Sequence, residues 1–192
     1  MTGRILIAYV SRRGSTAEIA RAIGRELEAA GDRVEVAGME GVTSLEGFGA
    51  AVIGAPVYMA KIEKGVAGFV SRHREGLSRI PVAAFAVGIA PVNPRVGSVE
   101  DILAKLTAAL DPVKPVAVTM FAGRLDLARM SFTERTMTGL MKVLTGDFRD
   151  WDAIRAWARD LHAILGFEPP EGGTGGGSPV PGGPGAGGKK TI

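Results

Sequence analysis

The first apolar run, Ile5-Leu6-Ile7-Ala8-Tyr9-Val10, is too short for a helix and has no polar alternation, so it reads as a buried strand. A helix-period segment follows from Thr16 to Ala30, with Ile19, Ile23 and Leu27 on one face and Gly31 placed to cap its end. The pattern then repeats. Arg33 to Met39 is a second strand, and Gly49 to Gly54 is a third, wholly apolar and expected to stop at Ala55-Pro56. Ile62 to Glu75 is a helix with Ile62, Val66, Phe69 and Val70 inward, and Pro81 to Gly88 is a fourth strand. Ser98, with Asp101 three residues on, opens a helix carrying Ile102, Leu103, Leu106 and Leu110 inward and ending before Asp111-Pro112. Val113 to Ala122 is the fifth strand, and Asp150 caps a last helix in which Trp151, Ile154, Trp157, Ala158, Leu161 and Leu165 recur at helical spacing.

Continuous apolar strands require cover on both faces, and strict β–α alternation gives right-handed crossovers. The pattern therefore predicts an α/β fold: an open, doubly wound, five-stranded parallel sheet with helices on both faces. Two stretches stand outside it. Gly123 to Arg149 is an extra segment containing a short amphipathic run of Met137, Leu140, Met141 and Leu144, which packs on the core or faces a membrane. From Pro169 to Ile192, 15 of 24 residues are Gly or Pro, too few apolar groups to offset the entropy of ordering. The expected division is a folded domain over 1–168 and a disordered tail over 169–192.

Composition narrows the chemistry. The chain has 192 residues, enough for one buried core, and no cysteine, which removes disulfides, thiolate catalysis, iron–sulfur clusters and cysteine-bound zinc. The only histidines, His73 and His162, fall on helices and read as solvated rather than as general bases. No apolar stretch approaches the roughly 20 residues of a membrane span, and the first run is short for a signal peptide. A cytoplasmic protein is expected, with peripheral contact at the inner face of a membrane left open. The net charge of +3 is spread over both signs with no basic stripe, so nucleic acid is not an expected partner. The same mild basic excess weighs against a soluble shuttle that docks on basic partners.

In doubly wound sheets ligands sit beyond the carboxyl ends of the strands, at the point where strand order reverses, which for the order 2-1-3-4-5 lies between strands one and three. Three unusual loops fall there. Ser11-Arg12-Arg13-Gly14-Ser15-Thr16 joins the first strand to a helix N-terminus, where unpaired N–H groups, three hydroxyls and a glycine suit a phosphate. Its spacing is neither G-x-G-x-x-G nor that of the nucleoside-triphosphate loop, so a monophosphate fits better than a triphosphate. Ser15 with Glu18 also has capping-box spacing, an alternative use for the same hydroxyl. The third strand leads to Pro56-Val57-Tyr58-Met59, and the fourth to Gly88-Ile89 and on to Asn93. Tyr58 offers a face for a flat ring, Asn93 and nearby backbone amides its polar edge, and Arg12 and Arg13 charge near the phosphate. Together these suggest a phosphorylated heteroaromatic, with FMN as the candidate cofactor. A phospho-accepting receiver is excluded by the absence of acidic residues after the first and third strands.

Ser11-x-x-Gly14-x-Thr16 and Gly54-x-Pro56-x-Tyr58 resemble the flavodoxin family. Phe121-Ala122-Gly123-Arg124-Leu125, Met141-Lys142, Thr145-Gly146-Asp147 and Asp150-Trp151 further resemble its menaquinone-dependent protoporphyrinogen oxidase branch, over residues 4 to 165. That resemblance implies non-covalent FMN, a reduced small-molecule substrate and a quinone acceptor, hence an oxidoreductase of porphyrin biosynthesis whose chemistry is carried by the flavin. Two alternatives remain: a non-enzymatic electron carrier between protein partners, and a scaffold that has lost its cofactor.

Overall fold

The computed structural model describes residues 3–126 and 145–166. The run 137–144 and the tail 169–192 discussed above lie outside these residues. Five strands form the parallel sheet: β1 Arg4–Tyr9, β2 Val34–Gly38, β3 Phe48–Tyr58, β5 Val82–Gly88 and β6 Ala117–Ala122. Their order across the sheet is β2-β1-β3-β5-β6, so the five main strands lie second, first, third, fourth, fifth as the alternation predicts. The helices are α1 Ser15–Ala29, α2 Lys64–Leu77, α3 Val99–Ala109 and α4 Trp151–Ile164.

Alternate strand residues feed two cores. Leu6, Ala8, Ala51, Ile53 and Ala84 pack under Val66, Phe69 and Leu77 of α2 and Ile102 and Leu106 of α3. Their neighbours Ile5, Ile7, Val52 and Phe85 pack under Ile19, Ile23 and Leu27 of α1 and Ile154, Ala158 and Leu161 of α4. Each fully buried Leu, Ile or Phe contributes about 1.5–3 kcal/mol of burial, before entropy is counted. On the α1/α4 side the rings of Phe121 and Trp157 meet edge-on with centroids 5.6 Å apart, and Phe85 lies 6.0 Å from Phe121, locking the end of the sheet to α4.

Helix ends follow the residues that bound them. Gly31 has φ +99°, its N–H reaches Glu28 O and that of Asp32 reaches Leu27 O, a Schellman stop for α1. Ser98 Oγ accepts from Asp101 N at 3.0 Å, and Asp150 Oδ1 from Asp152 N and Ala153 N.

Several expectations are corrected. The third strand does not stop at Ala55-Pro56 but runs to Tyr58, because it folds back on a two-residue strand β4, Lys61–Ile62, with Val57 opposite Ile62 and Tyr58 opposite Lys61. Ile62 therefore belongs to this hairpin rather than to α2. The fifth strand begins at Ala117, not Val113. Part of the extra segment forms a ribbon, β7 Arg124–Leu125 against β8 Gly146–Asp147. His73 is buried, its Nε2 3.2 Å from Val42 O and its ring against Phe69. His162 is half-buried beside Asp32, Nδ1 to Oδ2 at 2.9 Å.

Candidate functional site

Between the carboxyl end of β1 at Tyr9 and the start of α1 at Ser15 the chain must turn, and Gly14 makes the turn with φ +91°, a conformation that costs a residue with a Cβ roughly 1–2 kcal/mol. Gly14 is the N-cap, and it has no side chain to cap with. Ser11 does that work from three residues upstream: its Oγ accepts from Gly14 N at 3.1 Å and Ala17 N at 3.4 Å. The capping-box expectation for Ser15 and Glu18 is therefore overturned. Ser15 is the first helical residue, and its Oγ accepts from Arg124 N at 3.2 Å, tying the exit of β6 to the loop after β1. The N–H groups of the first turn have no intrahelical acceptor and stand at the positive end of the α1 dipole.

Ser11, Arg12, Arg13, Ser15 and Thr16 line one crevice together with Pro56, Val57 and Tyr58 from β3 and with Gly88 and Ile89 from the end of β5. Three loops distant in the chain thus meet where the strand order reverses. The crevice is an open cavity of about 90 Å3. Gly14 supports it through the backbone without lining it. Met59 and Asn93 do not line it either: Met59 is 63% exposed at the hairpin tip. Asn93 is buried, with Oδ1 accepting from Arg95 N at 3.3 Å, so its side chain shapes its own loop.

Val87, Gly123, Arg124 and Leu125 complete the wall. They were not among the expected site residues. The signal that could have found them is the Ala122-Gly123-Arg124 stretch at the end of an adjacent strand, since the carboxyl ends of neighbouring strands share one rim. Gly123 N donates to Gly88 O at 2.9 Å, and a Cβ on Gly123 would lie 3.0 Å from Val87 Cγ1. A bulkier residue would thus push into the wall.

Tyr58 sits under two guanidinium groups, with Arg12 Cζ 5.4 Å and Arg13 Cζ 5.7 Å from its ring centroid. Arg12 Nε also pairs with Glu63 Oε2 at 2.5 Å, just before α2. On the other side Arg124 reaches Glu18 at 3.2 Å, and Arg149, whose side chain is 5% exposed, bonds both Glu18 and Asp147 and lies over Trp151. The hydrogen-bonded Arg149 guanidinium holds the Asp147 carboxyl below the usual carboxylate range, and Asp147 in turn raises the pKa of Arg149. Among the described residues there is no group of three or more His, Asp or Glu placed to hold a metal ion, and no helix long and apolar enough to cross a membrane.

These residues fit a flavin mononucleotide. Hydroxyls at a helix N-terminus suit a phosphate, the Tyr58 side chain suits a flat ring, and Gly88 and Gly123 line the same crevice. No side chain in the wall is a thiol or an imidazole.

Comparison with known proteins agrees. The flavodoxin domain model matches residues 6–152. The protoporphyrinogen IX dehydrogenase [quinone] of Escherichia coli strain K12 is 24% identical over 170 residues, covering 82% of this chain and 94% of that protein. Among solved structures, a flavodoxin of Streptococcus pneumonia TIGR4 superposes with TM-score 0.52 at 15% identity, over 84% of this chain and 99% of that one. Flavodoxin 1 of Bacillus cereus does so with TM-score 0.50 at 14% identity, over 74% and 100%. The chain belongs to the flavodoxin domain family, and its cofactor is FMN.

Proposed function

We propose that this FMN-dependent redox protein is an enzyme that takes electrons from a reduced porphyrin precursor and passes them to a quinone. The observation that carries the reading is the crevice itself, whose wall offers, among the described residues, hydroxyls at a helix N-terminus and an aromatic side chain but no thiol, imidazole or carboxylate. The chemistry then belongs to the bound flavin, which can accept an electron pair from one partner and release it to another. The match to the E. coli dehydrogenase supports the substrate class, because it extends over nearly the whole length of that protein.

The residues of this chain bind and orient. In this reading Ser11, Ser15 and Thr16, with the first-turn amides of α1, hold the phosphate. Tyr58 holds the ring, Pro56 and Val57 with Gly88 and Ile89 form the slot, and Arg12, Arg13 and Arg124 supply positive charge at its rim. Residues 1–168 are proposed as the FMN-binding unit, with 169–192 outside it. A chain ending at residue 168 should therefore bind FMN with unchanged affinity; a tenfold loss would move the boundary.

The functional test is anaerobic oxidation of protoporphyrinogen IX by the FMN-loaded protein with a soluble menaquinone analogue as acceptor. Turnover that depends on both FMN and quinone is expected. An FMN-loaded protein that oxidises no porphyrinogen yet exchanges electrons rapidly with a redox protein would instead support the carrier reading.

A further inference from the structure

Three of the residues that line the crevice are arginines, Arg12, Arg13 and Arg124, and no Asp or Glu stands among the described residues lining it. Glu63 and Glu18, which pair with Arg12 and Arg124, are not among the lining residues, so it is the arginines rather than the carboxylates that line the cavity. The remaining lining is largely apolar, with Val57, Val87, Leu125 and Pro56 keeping the local dielectric low. A cleft of one sign with low-dielectric walls focuses its field on whatever it holds. The phosphate alone does not account for three cations, because hydroxyls and a helix N-terminus already serve it.

We propose that Arg12, Arg13 and Arg124 raise the two-electron reduction potential of the bound cofactor by stabilising the negative charge its ring gains. The inference rests on the FMN reading. Uptake of two electrons from a reductant and one proton from solvent leaves the flavin ring one charge more negative. Two guanidinium carbons lie within 6 Å of the ring centroid of Tyr58, so a ring held against Tyr58 would lie close to both charges. The phosphate carries the same charge in both oxidation states and cancels from the comparison. A raised potential suits a protein that accepts electron pairs from an organic substrate, and ill suits one that delivers strongly reducing electrons.

The test measures the affinity of the protein for oxidised and dithionite-reduced FMN, together with the midpoint potential, in wild type and in Arg12→Gln, Arg13→Gln and Arg124→Gln. Each substitution is expected to weaken binding of the reduced form relative to the oxidised form by roughly three- to tenfold. A tenfold change in that ratio is about 30 mV for a two-electron couple, so the potential should fall by up to that amount. Arg→Lys at the same positions should hold it near the wild-type value. In wild type the potential should also fall as ionic strength rises from about 0.01 to about 1 M, which shortens the Debye length from about 30 to 3 Å. That measurement stands even where a variant fails to fold. Unchanged affinity ratios in the glutamine variants, or a salt-independent wild-type potential, overturn the proposal. Failure of wild type to bind oxidised FMN overturns the cofactor reading beneath it.

Discussion

At the scale of single residues, the loop after β1 works because its parts divide the labour. Gly14 provides the left-handed turn and no cap, and Ser11 provides the cap from outside the helix. Ser11→Ala removes both hydrogen bonds and should cost about 1 kcal/mol of stability, read as a lower unfolding midpoint. It should also weaken FMN more than riboflavin, since the loop faces the phosphate; equal losses for the two ligands would argue against a phosphate cradle. The hydroxyl-rich loop was legible from its residues, but the role of each hydroxyl was not. Ser15 and Glu18 have the spacing of a local capping pair, yet their partners are Arg124 and Arg149, more than 100 residues away. A spacing rule sees only neighbours. His73 is the opposite case, a local signal passed over: it follows Val66, Phe69 and Val70 on the same helical stripe and is buried with them.

At the scale of elements, the main strands and helices were readable because each apolar run has one period and a clear punctuation, and the strand order followed from alternation. The hairpin after β3 was not readable. Its turn residues, Met59 and Ala60, both have positive φ, with φ 49° and 55°, where asparagine and glycine are the usual signals. Lys105 Nζ donates to Ala60 O at 3.0 Å, a contact from α3 that helps hold this strained turn. The ribbon of β7 and β8 was equally hidden, since two-residue strands have no pattern. Its attachment to α1 runs through Arg124 and Arg149. Arg149→Ala should destabilise the protein by about 1–3 kcal/mol through the loss of charged hydrogen bonds to Glu18 and Asp147. The Asp147 part of this has a definite pH dependence. Its carboxyl is held lower in the folded than in the unfolded chain, so its contribution is present above the unfolded value of about 3.9 and is lost as pH falls through the folded one. The stability difference between wild type and Asp147→Asn should therefore be constant near neutral pH and shrink below about pH 4. A difference that grew on acidification would contradict the pairing.

At the scale of the whole molecule, two cores press on a sheet whose central strand has no room to spare. A Cβ on Gly54 would fall 2.5 Å from Cζ of the fully buried Phe85, so Gly54→Ala must displace a ring that also contacts Phe121 and Trp157. It should cost about 1–3 kcal/mol, and because β3 and β5 carry Tyr58 and Gly88 to the crevice, FMN affinity should fall with it. The fold thus converts central packing into the position of the rim. The measurement that bears most directly on this account is an absorption spectrum of the purified protein, taken before and after incubation with FMN and desalting. Flavin bands that survive desalting, at one FMN per chain and weakened by Ser11→Ala, are the predicted result. A folded protein that retains no flavin would contradict it, and would leave the crevice as the remnant of a cofactor site.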